Sequence, residues 1–158
     1  MRSVALAAAV ALAAGCASAR DIGQAQGEGT TRCYVAEYEV LWLAAEEALR
    51  SLGLVLERAN RDNGVLVART YRPEVEDPEE MALESDQGER VAIFLDLDSR
   101  AADGRPIWTA EVVSRAIFSL DPTPRDWTDA VFLRFESVLP TEATSPDEDL
   151  AACTRVRR

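Results

Sequence analysis

No histidine and no lysine occur in this 158-residue chain. The missing imidazole excludes Ser-His and Cys-His nucleophile pairs and every zinc site that needs a histidine ligand. A general base working near neutrality would have to be a carboxylate or thiol shifted by its surroundings. We therefore expect no catalytic residue, no metal and no cofactor. The missing lysine leaves arginine as the source of all 17 bases, against 28 acids, and the formal charge is −11. Along the chain these arginines form no stripe. That excludes the clustered cations that nucleic-acid phosphates require and makes electrostatic attachment to anionic lipid a poor fit. Any membrane contact must come by another route.

The N-terminus supplies such a route. Met1-Arg2 is a minimal charged start, and Val4 to Ala14 is an unbroken apolar run of small residues and leucine. The run falls short of the ~20 residues that span a bilayer but suits the core of an export signal. It ends in Leu12-Ala13-Ala14-Gly15-Cys16. This stretch resembles the lipobox of bacterial lipoprotein precursors, with Ala13-Ala14-Gly15-Cys16 as the box and Leu12 one position further out than usual. The resemblance implies cleavage before Cys16, diacylglycerol on its thiol and a further acyl chain, such as palmitate, on the new amino terminus. Two or more chains hold a protein stably on a membrane, whereas one binds marginally. Ala17 follows the cysteine where an aspartate would retain the protein, which implies the outer membrane, facing the periplasm, if the cell has one. Plain secretion is the alternative, because Ala17-Ser18-Ala19 is an acceptable cleavage signal that would discard Cys16. The glycine-rich stretch to Thr30 reads as a flexible tether. The expected division is residues 1–15 as signal, 16–30 as anchor and tether, 31–140 as one domain, and 141–158 as a polar tail.

Within the domain, Arg32 to Ala36 is expected to be a short strand. Tyr38, Leu41, Trp42, Ala45, Ala48, Leu49 and Leu52 then recur at helical spacing, and Gly53 stands where a left-handed cap belongs. Leu54–Leu56 and Val65–Tyr71 flank a turn at Asn60–Gly64 and read as a hairpin. Pro73 to Glu89 is an acidic, proline-containing loop, residues 73–89, too self-repelling to pack. Arg90 to Asp98 alternates, with Val91, Ile93, Leu95 and Leu97 on one face, and reads as a half-buried strand. Asp96 to Gly104 fails the spacing of a calcium loop, with Ile107 where the bidentate acid should stand. Ile107 to Phe118 is the next strand. Thr123-Pro124-Arg125-Asp126 has the pattern of a helix start, with Trp127, Val131, Phe132, Phe135, Val138 and Leu139 on its inner side and Pro140 as the stop.

Strands joined by short turns form an antiparallel sheet, and two amphipathic helices need one face of it. The expected fold is α+β: about 4–5 antiparallel strands with both helices on one face, a two-layer sandwich. The Tyr38-x-x-x-Trp42 helix start, Ala48-Leu49 before Gly53 and the Asn63-Gly64 turn resemble the helix-grip-like domains of small bacterial lipoproteins. These include the lipoprotein subunits of the outer-membrane β-barrel assembly machinery. The resemblance implies a scaffold or interaction protein and carries over no catalytic residue.

Two function classes follow. The first is a non-catalytic envelope module, anchored by lipid and binding another envelope protein. The second is a periplasmic binder of a small apolar ligand or lipid held between helices and sheet, with Arg134 as the candidate for an anionic head group. More often such an arginine snorkels to solvent. Of the 3 cysteines, Cys33 and Cys153 remain once Cys16 is lipidated or discarded, and an oxidising compartment favours pairing them. The alternatives are a buried Cys33 thiol with an exposed Cys153, or a bridge between two chains.

Overall fold

The computed structural model describes residues 21–70, 88–100, 104–117 and 125–143. Five strands form one open antiparallel sheet. They are β1 (Thr30–Val35), β2 (Leu54–Asn60), β3 (Val65–Thr70), β4 (Gly88–Arg100) and β5 (Pro106–Ile117), in the spatial order β1-β5-β4-β3-β2. Helices α1 (Tyr38–Ser51) and α2 (Thr128–Val138) cover one face, as the apolar spacing requires.

Helix α1 buries Leu41, Trp42, Ala44, Ala45, Ala48 and Leu49. Its small alanines let it lie close to the sheet and to α2. Gly53 ends it at φ 74°, donating to the Arg50 carbonyl at 2.9 Å. Chain reversal between β2 and β3 also depends on glycine. Gly64 has φ 65°, and a Cβ there would stand 2.2 Å from the Leu95 carbonyl oxygen.

Helix α2 begins at Thr128, several residues later than the Thr123 signal suggests; Thr123 and Pro124 lie outside the described residues. The reason is tertiary. Trp127 is tied down before the helix starts, its backbone N–H donating to Ser114 Oγ at 3.2 Å and its indole N–H to Glu89 Oε2 at 2.6 Å. Asp126, expected inside the helix, instead precedes it and accepts the Thr128 backbone N–H at 2.9 Å. The domain also outlasts residue 140: a 3₁₀ turn at Thr141–Ala143 places Ala143 in the main core.

The main core lies between helices and sheet. Trp42, Phe132 and Phe135 fill it against Leu66, Ile93 and Val112, and Tyr34 meets Phe135 edge-on at 5.0 Å between centroids.

The opposite face departs from expectation. The expected tether at residues 16–30 is corrected from Asp21 onward, because this stretch packs as a strap across the sheet. Ile22 is 1% exposed and Ala25 is fully buried. They close a second core with Val67, Ala92, Phe94 and Val113. Val91 to Leu95 are consequently buried on both faces, so the half-buried reading of β4 is corrected as well. Burying one isoleucine contributes ~1.5–3 kcal/mol, ample reason for a short apolar segment to leave solvent.

Candidate functional site

Of the residues singled out in the sequence, Cys33 and Arg134 fall among the described residues. Cys16 and Cys153 lie outside the described residues, as does most of the acidic loop. Cys33 lies on β1, in a small buried cluster with Val35 and Ile107. Its sulfur is engaged in a disulfide, whose other half is not among the described residues. Arg134 sits exposed on α2, away from the filled helix–sheet interface. Gly88 and Glu89, placed in the acidic loop by sequence, belong to β4. Glu89 is a structural acceptor for the backbone N–H of Arg125 and the indole of Trp127, both at 2.6 Å. Among the described residues no group of three or more Cys, Asp or Glu could hold a metal, and no helix is long and apolar enough to cross a membrane.

Sequence reasoning missed the acid that holds the strap. Glu111 is 4% exposed and accepts the backbone N–H groups of Gly27 at 2.8 Å and Gly29 at 2.6 Å. Ion pairs fasten the strap's flanks. Asp21 binds Arg58 at 2.6 Å, Glu28 binds Arg115, and the Gln26 amide donates to Asp96. Hydrogen bonds from Arg58 and from the Gly23 N–H hold the Asp21 carboxyl below its ordinary value. Burial raises that of Asp96. A hint was present in the sequence: Ile22 is the lone large apolar residue in an otherwise small and polar stretch.

The same face assembles cations that are scattered along the chain. Arg69, Arg90 and Arg115 stand opposite one another on three adjacent strands. Glu57 bridges the first two, at 3.4 and 3.1 Å. The row is thus countered by acids within the fold.

On the helix-covered face, Glu136 of α2 accepts from Arg32 at 2.7 Å and from the Tyr34 hydroxyl at 2.8 Å. Burial, with Glu136 beside it, pushes the Tyr34 phenol far above its ordinary value. Arg32 also lies over the Phe132 ring at 4.3 Å. This cluster locks α2 onto β1.

Open space exists at one end of the sheet. β4 and β5 run on beyond the β2–β3 hairpin, whose last pairing with β4 is Val65 to Phe94. The step leaves a cleft of about 590 Å³ lined by Tyr38, Arg61, Asp62, Leu97 and Trp108, among others. The rings of Tyr38 and Trp108 lie 4.9 Å apart. The Tyr38 hydroxyl donates to the Arg61 carbonyl, and the Arg61 guanidinium is paired with Glu39. Leu97 is 52% exposed. Among the described residues the buried indole N–H of Trp108 has no acceptor. A volume of this order is that of a binding cleft, here open and with Arg61, Asp62, Asn63 and Asp96 facing the aromatic wall.

No protein family matches the chain, and no curated protein sequence matches it.

Proposed function

We propose that the chain is a non-catalytic interaction module of the bacterial envelope, anchored by lipid at Cys16 and facing the periplasm from the outer membrane. One observation carries this reading. The pattern ending in Cys16 is followed almost at once by packed structure, since the strap begins at Asp21. Four residues separate anchor and domain, giving a reach of at most ~18 Å. An anchored domain would therefore ride close to its membrane, placed to meet a neighbouring envelope protein, with no free swing on a long leash. The alternative, an apolar-ligand binder, draws less support. The space between helices and sheet is filled by Trp42, Phe132 and Phe135, each no more than 3% exposed, so a ligand there would have to displace the core.

The test is metabolic labelling with radioactive palmitate. The wild-type chain should take up label and fractionate with membranes. Cys16→Ser should lose the label and accumulate as precursor. Normal processing and release of that variant would favour cleavage after Ala19 instead. Crosslinking in cells from engineered surface positions should then capture an envelope protein neighbour.

A further inference from the structure

The cleft beside Leu97 is bounded on one side by backbone. The Leu95 N–H points toward β3 and donates to the Gly64 carbonyl at 2.8 Å. Residues two apart on a strand present their N–H and C=O to the same side. Leu97 therefore presents both groups toward the line of β3, which has ended at Val65. Asp96, in contrast, faces β5, where its carbonyl accepts from the Thr109 hydroxyl at 3.3 Å. An unpaired donor and acceptor on a sheet edge are a template for another chain. Here they adjoin an exposed leucine and the Tyr38–Trp108 wall, so backbone pairing and a side-chain pocket occur together.

Charge narrows the occupant. Asp62 lines the cleft, and Asp96 and Asp98 lie on the overhanging part of β4. Arg61, the cation of the cleft lining, is already engaged by Glu39. Arg100, at the end of the same overhang, is turned to the Gly104 carbonyl at 3.1 Å, so acids outnumber cations along the rim, inside a chain that is itself strongly acidic. The ladder is irregular between Leu97 and Ser99, which keeps the usable edge short and suits a brief segment over a long strand.

We propose that this edge takes a short, extended, basic peptide segment of a protein partner, added to β4 where β3 stops. Backbone pairing at Leu97 supplies the register, an apolar side chain enters beside Trp108, and arginine or lysine side chains meet the acidic rim. The proposal deepens the interaction-module reading and rests on it for the source of the peptide.

The probe is a synthetic peptide alternating valine and arginine, titrated into the purified full chain. Its controls are an alternating valine–glutamate peptide, a valine–arginine peptide with proline at alternate positions, and a neutral chitin oligosaccharide. The readouts are tryptophan fluorescence and hydrogen exchange at the Leu97 amide. The valine–arginine peptide should slow that exchange and bind at least about tenfold more tightly than either peptide control. Leu97→Pro removes an N–H that the sheet does not use and should abolish binding. Leu97→Arg retains the backbone and should weaken binding by about tenfold through like charge. An unprotected Leu97 amide, equal binding by the Leu97→Arg chain, or binding of the oligosaccharide alone would overturn the proposal. Partner crosslinks that map elsewhere, with Leu97 unprotected, would sink this site and leave the module reading. Peptide protection of Leu97 in a chain that takes up no palmitate would do the reverse.

Discussion

The carboxylate of Glu111, on the face of the sheet away from the helices, accepts the backbone N–H of Gly29 at 2.6 Å. That bond, with its twin to Gly27, converts a glycine-rich stretch into a fixed strap. Gly29 permits it because a Cβ at that position would stand 2.2 Å from the Val112 carbonyl oxygen. Glu111→Ala should lower stability by about 2–3 kcal/mol, the cost of leaving two inward N–H groups without an acceptor. Ile22→Ala should cost a similar ~2–4 kcal/mol, and Gly29→Ala should also destabilise. Urea unfolding measures all three. A tether reading predicts no change at any of them.

Acid should loosen the strap before it unfolds the domain. Asp21 is held below its ordinary value of 3.8 chiefly by the Arg58 hydrogen bond, then by the Gly23 N–H. A carboxyl depressed in the folded state contributes stability above its unfolded pKa and loses it as pH falls through the lower folded value. Asp126, lowered by its bonds to Thr128, acts in the same direction. Asp96, raised by burial, acts in the opposite one. Stability should therefore hold from neutrality to about pH 4 and decline below it. Arg58→Gln should flatten the decline at Asp21, and salt should mimic that substitution, because the pair is partly exposed. Thermal melts across pH 2–7, for wild type and variant, are the measurement.

Cys33 and Cys153 are expected to be the two halves of one disulfide. Lipidation would remove Cys16 from the choice, leaving Cys153 as the partner for the engaged sulfur of Cys33. Such a bond closes a loop of about 120 residues and stabilises by at most ~4–5 kcal/mol on chain-entropy grounds. Non-reducing mass spectrometry should show the linked peptides in monomeric chain. A Cys33–Cys33 dimer, or a Cys16–Cys33 link, would overturn the pairing.

The acidic segment and its last residue should behave oppositely. Replacing Glu74 to Gln87 by a shorter Gly/Ser linker should leave the melting temperature nearly unchanged, since loop length enters closure entropy only logarithmically, about 0.6 kcal/mol per doubling. Glu89→Ala should lower it clearly. That change removes the acceptor shared by the Arg125 N–H and the Trp127 indole, a loss of about 1–3 kcal/mol. Equal effects from the two changes would mean the segment packs on the domain.

Element type was legible wherever one residue's neighbours along the chain decide it. Helix α1, the hairpin turn and both long strands could be read from spacing because burial of one face imposes a period of 3.6 or 2. Ending α1 at Gly53 was legible too, as a left-handed cap is a local requirement. The start of α2 was not, because Ser114 and Glu89 hold Trp127 in place from distant strands.

The sequence alone determined the fold class, an antiparallel sheet under two helices, and excluded histidine chemistry, since both follow from local pattern and composition. Tertiary structure alone decided the rest. It pinned Gly27 and Gly29, glycines that read as flexibility, through their N–H groups to a buried Glu111, pressed Gly29 against Val112, and lined up three distant arginines. It also let β4 outrun β3 to open the cleft at Leu97. Each of these depends on strand register, and register brings together residues far apart in the chain whose spacing carries no trace of the meeting.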